Sequence, residues 1–210
     1  MAYRFLDIAA TPSVKAAQAA NGSDRLWSEP KSYRACDRFT EAEIAFIAER
    51  DSFYMATVSE TGWPYVQHRG GPPGFLRVMN ATTLAFADFR GNKQYITLGN
   101  AAANDRCALF LVDYPNRRRL KIYARIEVKD LEPALAAILV LPGYRAKPER
   151  AFVLHLEAFD WNCSQHITPR FAEPEIDAAL MPVRARIAQL EAENELMRNR
   201  LNIAEGETIA

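Results

Sequence analysis

The stretch "CALFLVDYPNRRRLKIYARIEV", residues 107–128, decides the fold class of this chain. Its first part, 107–114, is a continuous apolar run, which is typical of a strand buried on both faces. Its last part, 120–128, alternates between apolar and polar side chains, which is typical of a strand with one buried face. The intervening turn holds Arg117, Arg118 and Arg119. Together these features predict an antiparallel hairpin.

Similar hairpins lie on either side of this stretch. "SFYMATVSETGWPYVQHR" predicts two strands around a turn at 60–62, the second begun by Pro64, where a missing N–H does least harm. Residues 74–88 predict another hairpin that turns near 80–83, and 151–159 alternate again. Helical segments are expected at about 93–103 and 131–141. Six or seven strands at hairpin spacing favour a mainly β, α+β fold with an antiparallel barrel.

Two helices are expected before the first strand. Thr11 is placed as the N-cap of a short helix, with Pro12 at its first position and Gly22 just past its end. Thr40 and Glu43 have the spacing of a capping box at the start of a second helix. The apolar residues expected on its buried face are Ile44, Phe46 and Ile47.

The composition limits the classes of partner. The 210 residues carry a formal net charge of zero, which gives no general attraction to nucleic acid or to an anionic membrane. The three cysteines are odd in number and widely spaced, which argues against a disulfide framework. The N-terminus lacks a signal peptide's apolar segment, and no apolar run approaches the ~20 residues of a membrane span. We therefore expect a cytoplasmic protein.

The segment "DWNCSQHITPRF", 160–171, places Cys163 three residues before His166, a spacing found in metal sites and in thiol–imidazole pairs. A structural zinc site needs about four thiolate or imidazole ligands, usually in two close pairs. The other candidates are scattered single residues: Cys36, His68, Cys107 and His155. We therefore expect Cys163 to be neither a metal ligand nor a nucleophile.

The segment 86–106 follows a strand and opens a helix, which favours anion binding. Gly91 allows a tight turn, and Asn92, Lys93 and Gln94 offer donors at the expected helix start. Backbone N–H groups and the helix dipole at such a start attract phosphate. The glycine-rich run of a Walker A loop is missing, so the segment does not predict an ATPase.

In their order and spacing, the segments between 40 and 171 resemble the pyridoxamine 5'-phosphate oxidase-like flavoproteins. The resemblance rests on "FADFRGNK", "NDRCALFL", "RRLKIYAR" and a Trp161 to Arg170-Phe171 tail, and it is strongest to the flavin-nucleotide-binding branch. It implies an FMN-binding split barrel that works as a homodimer, with FMN in the cleft between two protomers. The implied boundaries are an N-terminal helical appendage at 1–39, the barrel at 40–171, and a C-terminal helix and tail at 172–210.

The resemblance also implies the residues around the flavin. Arg77 would hold the phosphate together with Asn92 and Lys93, and the main chain of Ala87 and Asp88 would contact the ring. Gln94 stands where the family has a second basic residue, so Arg69 or Arg90 would supply the missing charge. Arg119 would lie at the pyrimidine end, where a cation stabilises negative charge on reduced flavin. The tail would form a wall of the cleft, with Trp161 and Arg170 near the cofactor and Gln165 and His166 toward the substrate.

The function implied is an FMN-dependent oxidoreductase that acts on a small organic substrate, with NAD(P)H or oxygen as redox partner. The tail lacks the first of the two further residues, an arginine and a histidine, that bind pyridoxal phosphate in the vitamin B6 enzyme, which argues against that activity. Two alternatives stay open: a flavin-binding protein without a substrate, and a split barrel that holds haem through His68, His155 or His166.

The C-terminal segment predicts an amphipathic or coiled-coil helix. Apolar residues from Ile176 to Leu201 recur at alternating spacings of four and three, with Asn194 at one a position. Because Pro182 fits poorly in a helix interior, the regular helix is expected to begin there. The helix either pairs with its mate or lies on its own barrel.

Overall fold

The computed structural model describes residues 4–28, 36–161 and 164–207; for residues 27–28 and 201–207 it describes the backbone alone. The chain divides into two compact units, 1–167 and 168–210, which are described separately below.

The first unit is built on a seven-stranded sheet in which all neighbouring strands are antiparallel. The order across the sheet is β2-β1-β5-β6-β7-β4-β3, so β2 and β3 form its two ends. This architecture, with helices at the periphery, confirms the α+β split-barrel prediction and its hairpins. The strands are β1 Ser52–Val58, β2 Pro64–Gly70, β3 Arg77–Asn80, β4 Thr83–Phe89, β5 Arg106–Asp113, β6 Arg118–Lys129 and β7 Pro148–Trp161.

Aromatic side chains form much of the core inside the curled sheet. Phe53 stacks on Phe75 with ring centroids 5.5 Å apart and meets Phe86 edge-on at 5.3 Å. Phe86 in turn stacks on Phe152 of β7, also at 5.3 Å. These contacts link strands from both halves of the sheet, and aromatic pairs of this kind add about 0.5–1.5 kcal/mol beyond their buried area.

Strand β5 is buried on one face only, contrary to the prediction that both faces would be buried. Cys107, Leu109 and Leu111 point into the core, whereas the residues between them are half-buried. The reason is that the sheet curls around a single core, so only the inward face of β5 is fully covered. Val128 of β6 is 40% exposed, although the alternation places it on the core face, because it lies near the end of the strand.

Seven helices accompany the strands in the described residues. The N-terminal capping prediction is confirmed: Thr11 Oγ1 accepts a hydrogen bond from Val14 N at 3.4 Å, and Gly22 follows the helix with a φ of 66°. The helices expected from residues 93 and 131 begin slightly later than predicted. The helices are α1 Arg4–Ala9, α2 Pro12–Ala20, α3 Asp24–Ser28, α4 Glu41–Ala48, α5 Ile96–Ala103, α6 Pro133–Leu139 and α7 Glu173–Glu207.

The capping box at the start of α4 is present and extends further than the sequence indicated. The Glu43 carboxylate is fully buried and accepts hydrogen bonds from Thr40 N at 2.9 Å and Thr40 Oγ1 at 2.7 Å. Its other oxygen accepts from the indole Nε1 of Trp161 at 2.7 Å. Phe46 packs edge-on against the same indole, whereas Ile44, expected on the buried face, is 41% exposed. Glu43 therefore fastens α4 to the end of β7.

The second unit consists of the helix α7 and a short preceding segment. The helix begins at Glu173, where Ala172 N donates to Glu175 Oε2 at 2.7 Å, and it continues through Pro182 without interruption. The expectation that the regular helix starts at Pro182 is therefore wrong. A helical proline leaves the carbonyl four residues earlier without its partner. Residue 178 is exposed, so water can satisfy that carbonyl.

Replacing Trp161 by phenylalanine tests the Glu43 contact. We expect the free energy of unfolding to fall by about 1.5–3 kcal/mol, because the variant loses a hydrogen bond to a buried carboxylate. Urea unfolding followed by circular dichroism measures this change. Trp63, which is 75% exposed, provides the matched control, and Trp63→Phe should change stability by less than about 0.5 kcal/mol. Equal losses in the two variants would contradict a special role for the Glu43 contact.

Candidate functional site

The loop at 90–95 joins β4 to α5 and has an unusual backbone. Lys93 and Tyr95 both adopt the left-handed conformation, with φ of 61° and 52°. Asn92 Oδ1 accepts a hydrogen bond from Gln94 N at 3.1 Å, an Asx turn. The helix begins only at Ile96, so Asn92, Lys93 and Gln94 lie in the loop rather than in the first helical turn. Their side chains are exposed.

This loop forms one side of a cleft of about 190 Å³, which lies at the gap where the barrel is open. The opposite sides come from β2, the end of β4 and the start of β7, and the first turn of α5 closes one end. The backbone N–H groups of that first turn have no carbonyl acceptor within α5. The lining residues are Tyr65, Gln67, Arg69, Asp88, Phe89, Gly91–Ile96, Thr97, Leu98, Glu149 and Phe152.

An ion pair crosses the floor of the cleft. Arg69 Nη1 of β2 donates to Asp88 Oδ1 of β4 at 2.8 Å, and the guanidinium lies 5.4 Å from the ring centroid of Phe152. Arg150 Nη1 approaches the other carboxylate oxygen at 3.8 Å, which is an ion pair but too long for a hydrogen bond. Arg69 Nε and Arg150 Nη1 are buried without a hydrogen-bond partner among the described residues. Each guanidinium therefore keeps one buried nitrogen without a hydrogen-bond acceptor among the described residues.

Burial raises the pKa of the Asp88 carboxyl above its ordinary value, and the charges of Arg69 and Arg150 oppose that shift. Because the folded pKa lies above the unfolded one, the protonated carboxyl favours the fold. This contribution to stability is fully present below the unfolded pKa and is lost as the pH rises through the folded pKa.

A second carboxylate, Glu149, ties the loop to β7. It accepts hydrogen bonds from Arg90 Nε at 2.9 Å, Tyr95 OH at 3.2 Å and Arg150 Nη2 at 3.2 Å. The bond from Arg90 is the main cause that holds the Glu149 pKa below its ordinary value. Arg90 is thereby engaged at the rim, whereas Lys93 makes no ion pair with any described residue. The cations around the cleft are Arg69, Arg90, Lys93 and Arg150, and they outnumber the two carboxylates.

The main chain of β4 is open beside the cleft. On one side Ala87 and Asp88 pair with Ala151 and Arg150 of β7. On the other side β3 pairs with β4 only as far as Ala85, so within the described chain no strand covers the backbone of 86–89 there. The side chain of Ala87 is buried in the small cluster with Leu139 of α6. Any contact that Ala87 offers in the cleft is therefore a main-chain contact.

Other residues named by the resemblance lie elsewhere in the first unit. Arg77 is exposed at the start of β3 and does not line the cleft. Arg119 is half-buried on β6, and its Nε has no partner among the described residues. Trp161 is bonded to Glu43, as described above, and Gln165 and His166 are exposed outside the lining. Arg170 belongs to the second unit.

The structure also bears on the alternative chemistries. Cys163 lies outside the described residues, so its role stays a prediction. Burial raises the pKa of the Cys107 thiol to about 12, which makes that residue a poor nucleophile. His155 bonds Glu127 at 2.8 Å on the exposed surface, and neither it nor His68 lines the cleft. Within the described part of the chain, no three His, Cys, Asp or Glu residues are grouped to hold a metal ion.

The sequence analysis did not find Gln67, Tyr95, Glu149 or Arg150. Gln67 on β2 accepts a hydrogen bond from Thr97 Oγ1 of α5 at 2.9 Å, which positions the helix against the strand. Glu149 and Arg150 stand about 55 residues beyond the loop in sequence, and no local motif marks them. Only the pairing of β7 with β4 brings them to the cleft.

Comparison with known proteins identifies the family. The sequence profile described as pyridoxamine 5'-phosphate oxidase matches residues 39–159, more than half of the chain. The chain therefore belongs to the pyridoxamine 5'-phosphate oxidase family, as the sequence resemblance predicted. A search of curated proteins returned no match.

Several solved structures are similar to this one. An FMN-binding protein from Syntrophomonas wolfei is 14% identical, with 72% of this chain and 95% of that chain covered and a TM-score of 0.45. An FAD-binding protein from Mesorhizobium loti is 13% identical, with 59% and 94% covered and a TM-score of 0.41. An F420 reductase is 20% identical, with 54% and 93% covered and a TM-score of 0.40.

Membrane insertion through a helix finds no support in the structure. Across residues 4–28, 36–161 and 164–207, none of the helices combines the length and apolar composition that a span requires.

The pKa of Asp88 provides a direct test of the cleft's electrostatics. Carboxyl ¹³C NMR titration should place the Asp88 pKa above the ordinary aspartate value, because burial outweighs the two arginine charges. In Arg69→Met the pKa should rise further, since the strongest opposing charge is removed. An Asp88 pKa below the ordinary value in the parent protein would show that the arginines dominate instead.

Proposed function

We propose that the cleft binds FMN and that the protein is an FMN-dependent oxidoreductase, acting on a small organic substrate with NAD(P)H or oxygen as redox partner. The observation that carries this proposal is the set of unused anion donors at the cleft of a family member. Lys93, Arg69 and the first turn of α5 line the cleft from the loop, the floor and the helix, and Lys93 makes no ion pair with the described residues.

The volume of the cleft supports a site completed by a second copy of the chain. A cleft of about 190 Å³ is smaller than the roughly 300–1,000 Å³ of most small-molecule sites. A second protomer placed against the open gap of the barrel would add a wall to the cleft. We therefore propose a homodimer with one FMN in each shared cleft.

The phosphate would lie at the loop end of the cleft. Lys93 there is exposed and makes no ion pair with the described residues, and Asn92 keeps its amide N–H₂ available, because only its oxygen is used in the Asx turn. Backbone N–H groups at a helix start are well suited to phosphate. Arg69 lines the cleft and Arg77 does not, so the proposal assigns to Arg69 the phosphate contact that the resemblance gave to Arg77.

The ring would lie along the open main chain of Ala87 and Asp88. The negative charge of Asp88 is offset there by Arg69 and Arg150, so the floor does not repel an electron-rich ring. Arg119 lies outside this cleft, and in the proposed dimer it would serve the cleft of the second copy. FMN, when bound, supplies the redox chemistry, while the protein supplies orientation and electrostatics.

Identification of the bound cofactor tests this proposal first. The purified protein should be yellow, and heat should release a molecule with the mass of FMN. Anaerobic mixing with NADH or NADPH should then bleach the flavin absorbance if either is the hydride donor. A colourless protein that fails to bind added FMN would refute the proposal, and a Soret band would favour the haem alternative.

Substitution of Lys93 tests the placement of the phosphate. We expect Lys93→Ala to raise the Kd for FMN about ten- to a hundredfold, because a charge-assisted contact of about 1.5–3 kcal/mol is lost. Arg77→Ala is the matched control, an exposed arginine near the same strands, and should change the Kd less than about twofold. Fluorescence quenching of free FMN measures both values. If Arg77→Ala weakens binding and Lys93→Ala does not, the phosphate lies elsewhere.

A further inference from the structure

The helix α7 carries an apolar stripe that is exposed along its described length. We call this stripe the seam and define it by six apolar residues that, together with Asn194, recur at alternating spacings of four and three. Each is between 40% and 60% exposed, whereas apolar side chains of this size are normally buried in a folded protein. The seam consists of Ile176, Leu180, Val183, Ile187, Leu190 and Met197, with Asn194 in line between the last two.

The continuity of α7 lengthens the seam beyond what the sequence predicted. Because the helix starts at Glu173, Ile176 joins the same stripe one turn before Leu180. Pro182 falls at a c position of the heptad, away from the seam, so it does not interrupt the stripe. A helix of 35 residues is about 50 Å long and gains most of its stability from packing of its apolar face.

The spacing of the seam favours another helix as its partner. A strict seven-residue repeat drifts by about 20° per heptad around a straight α-helix. A flat protein surface would therefore cover only part of the seam. A second helix wound around the first in a left-handed supercoil covers it along the whole length.

The charges beside the seam favour a second copy in parallel orientation. In a parallel, in-register pair, Arg186 at g faces Glu191 at e of the other chain, and Glu193 at g faces Arg198 at e. Both contacts pair opposite signs. In the described chain, Arg186, Glu191 and Arg198 make no ion pair, so these three groups are available.

Asn194 adds a register signal. An asparagine at a single a position favours two-stranded, parallel coils, because its amide pairs with the same amide of the partner. An antiparallel arrangement would set Asn194 against an apolar d residue and leave its amide unpaired. Around this position, the apolar Ile187 and Leu190 and the charged Glu191 and Arg198 of the e flank lie on one surface of the helix.

We propose that α7 pairs with α7 of a second copy of this chain as a parallel, in-register, two-stranded coiled coil. The proposal goes beyond the flavin function and does not rest on it. The helix would hold two chains together through contacts of its own, independent of the cleft.

Cysteine cross-linking of the full-length protein tests both partner and orientation. Val183→Cys and Met197→Cys each place one thiol at a d position, two heptads apart. In a parallel, in-register pair each thiol meets its own copy within the roughly 7 Å between Cα atoms that a disulfide spans. Both variants should form covalent dimers at least about tenfold faster than Ala192→Cys, an f position on the opposite face of the same helix. The parent chain gives the background from native cysteines.

Each other outcome would overturn the proposal. Rapid cross-linking at only one d position would indicate an antiparallel pair centred near it. Equal rates at all three positions would show that proximity in the dimer, and not the seam, brings the thiols together. No cross-linking above background would mean that the seam meets its own barrel or a different protein. Unchanged circular dichroism in all three variants ensures that the folded chain is compared.

Discussion

The ion pair between Arg69 and Asp88 is the contact on which the site depends. The two residues lie on β2 and β4, which are separated by four strands in the sheet order and share no backbone hydrogen bond. The pair therefore spans the gap where the barrel is split. Phe86 and Phe152 lie beneath the guanidinium and hold it against the core. Removing one partner of such a largely buried pair leaves the other charge uncompensated, which costs about 3–5 kcal/mol in fully buried cases and less where some solvent reaches the charge.

The helix α5 is held over the same gap by polar contacts to the other half of the sheet. Asn100 Nδ2 donates to Thr57 Oγ1 at 2.9 Å in the interior, and Thr97 bonds Gln67 nearer the cleft. Between these contacts and Asp88, the short loop must accommodate two left-handed non-glycine residues, Lys93 and Tyr95. Such conformations cost roughly 1–3 kcal/mol each and tend to cluster at functional sites. The strain supports a functional role for the loop.

Most of the local structure follows from the sequence because its signals are short-range. Hairpin turns and helix caps involve residues within a few positions of one another, and the predicted hairpins and the caps at Thr11 and Thr40 were confirmed. The predicted alternation was confirmed only in part, because Val128 is exposed and residues 151–154 are buried on both faces of β7. The Pro182 prediction was wrong for a reason that local rules do not include. A missing helical hydrogen bond is tolerable on an exposed face, where water replaces it, and exposure depends on what surrounds the helix.

The sequence by itself determined the family, the barrel and the loop that begins the site. The sequence also predicted the Thr40–Glu43 capping box. It did not predict the hydrogen bond that Glu43 accepts from Trp161 at the end of β7. The tertiary structure decided which cations face the cleft: it brought in Arg69 and left Arg77 outside. It also brought Glu149 across about 60 residues of sequence to the loop. The physical reason is that the cleft is formed by strands from both halves of the chain, so its charges meet only when the sheet curls and its register is fixed.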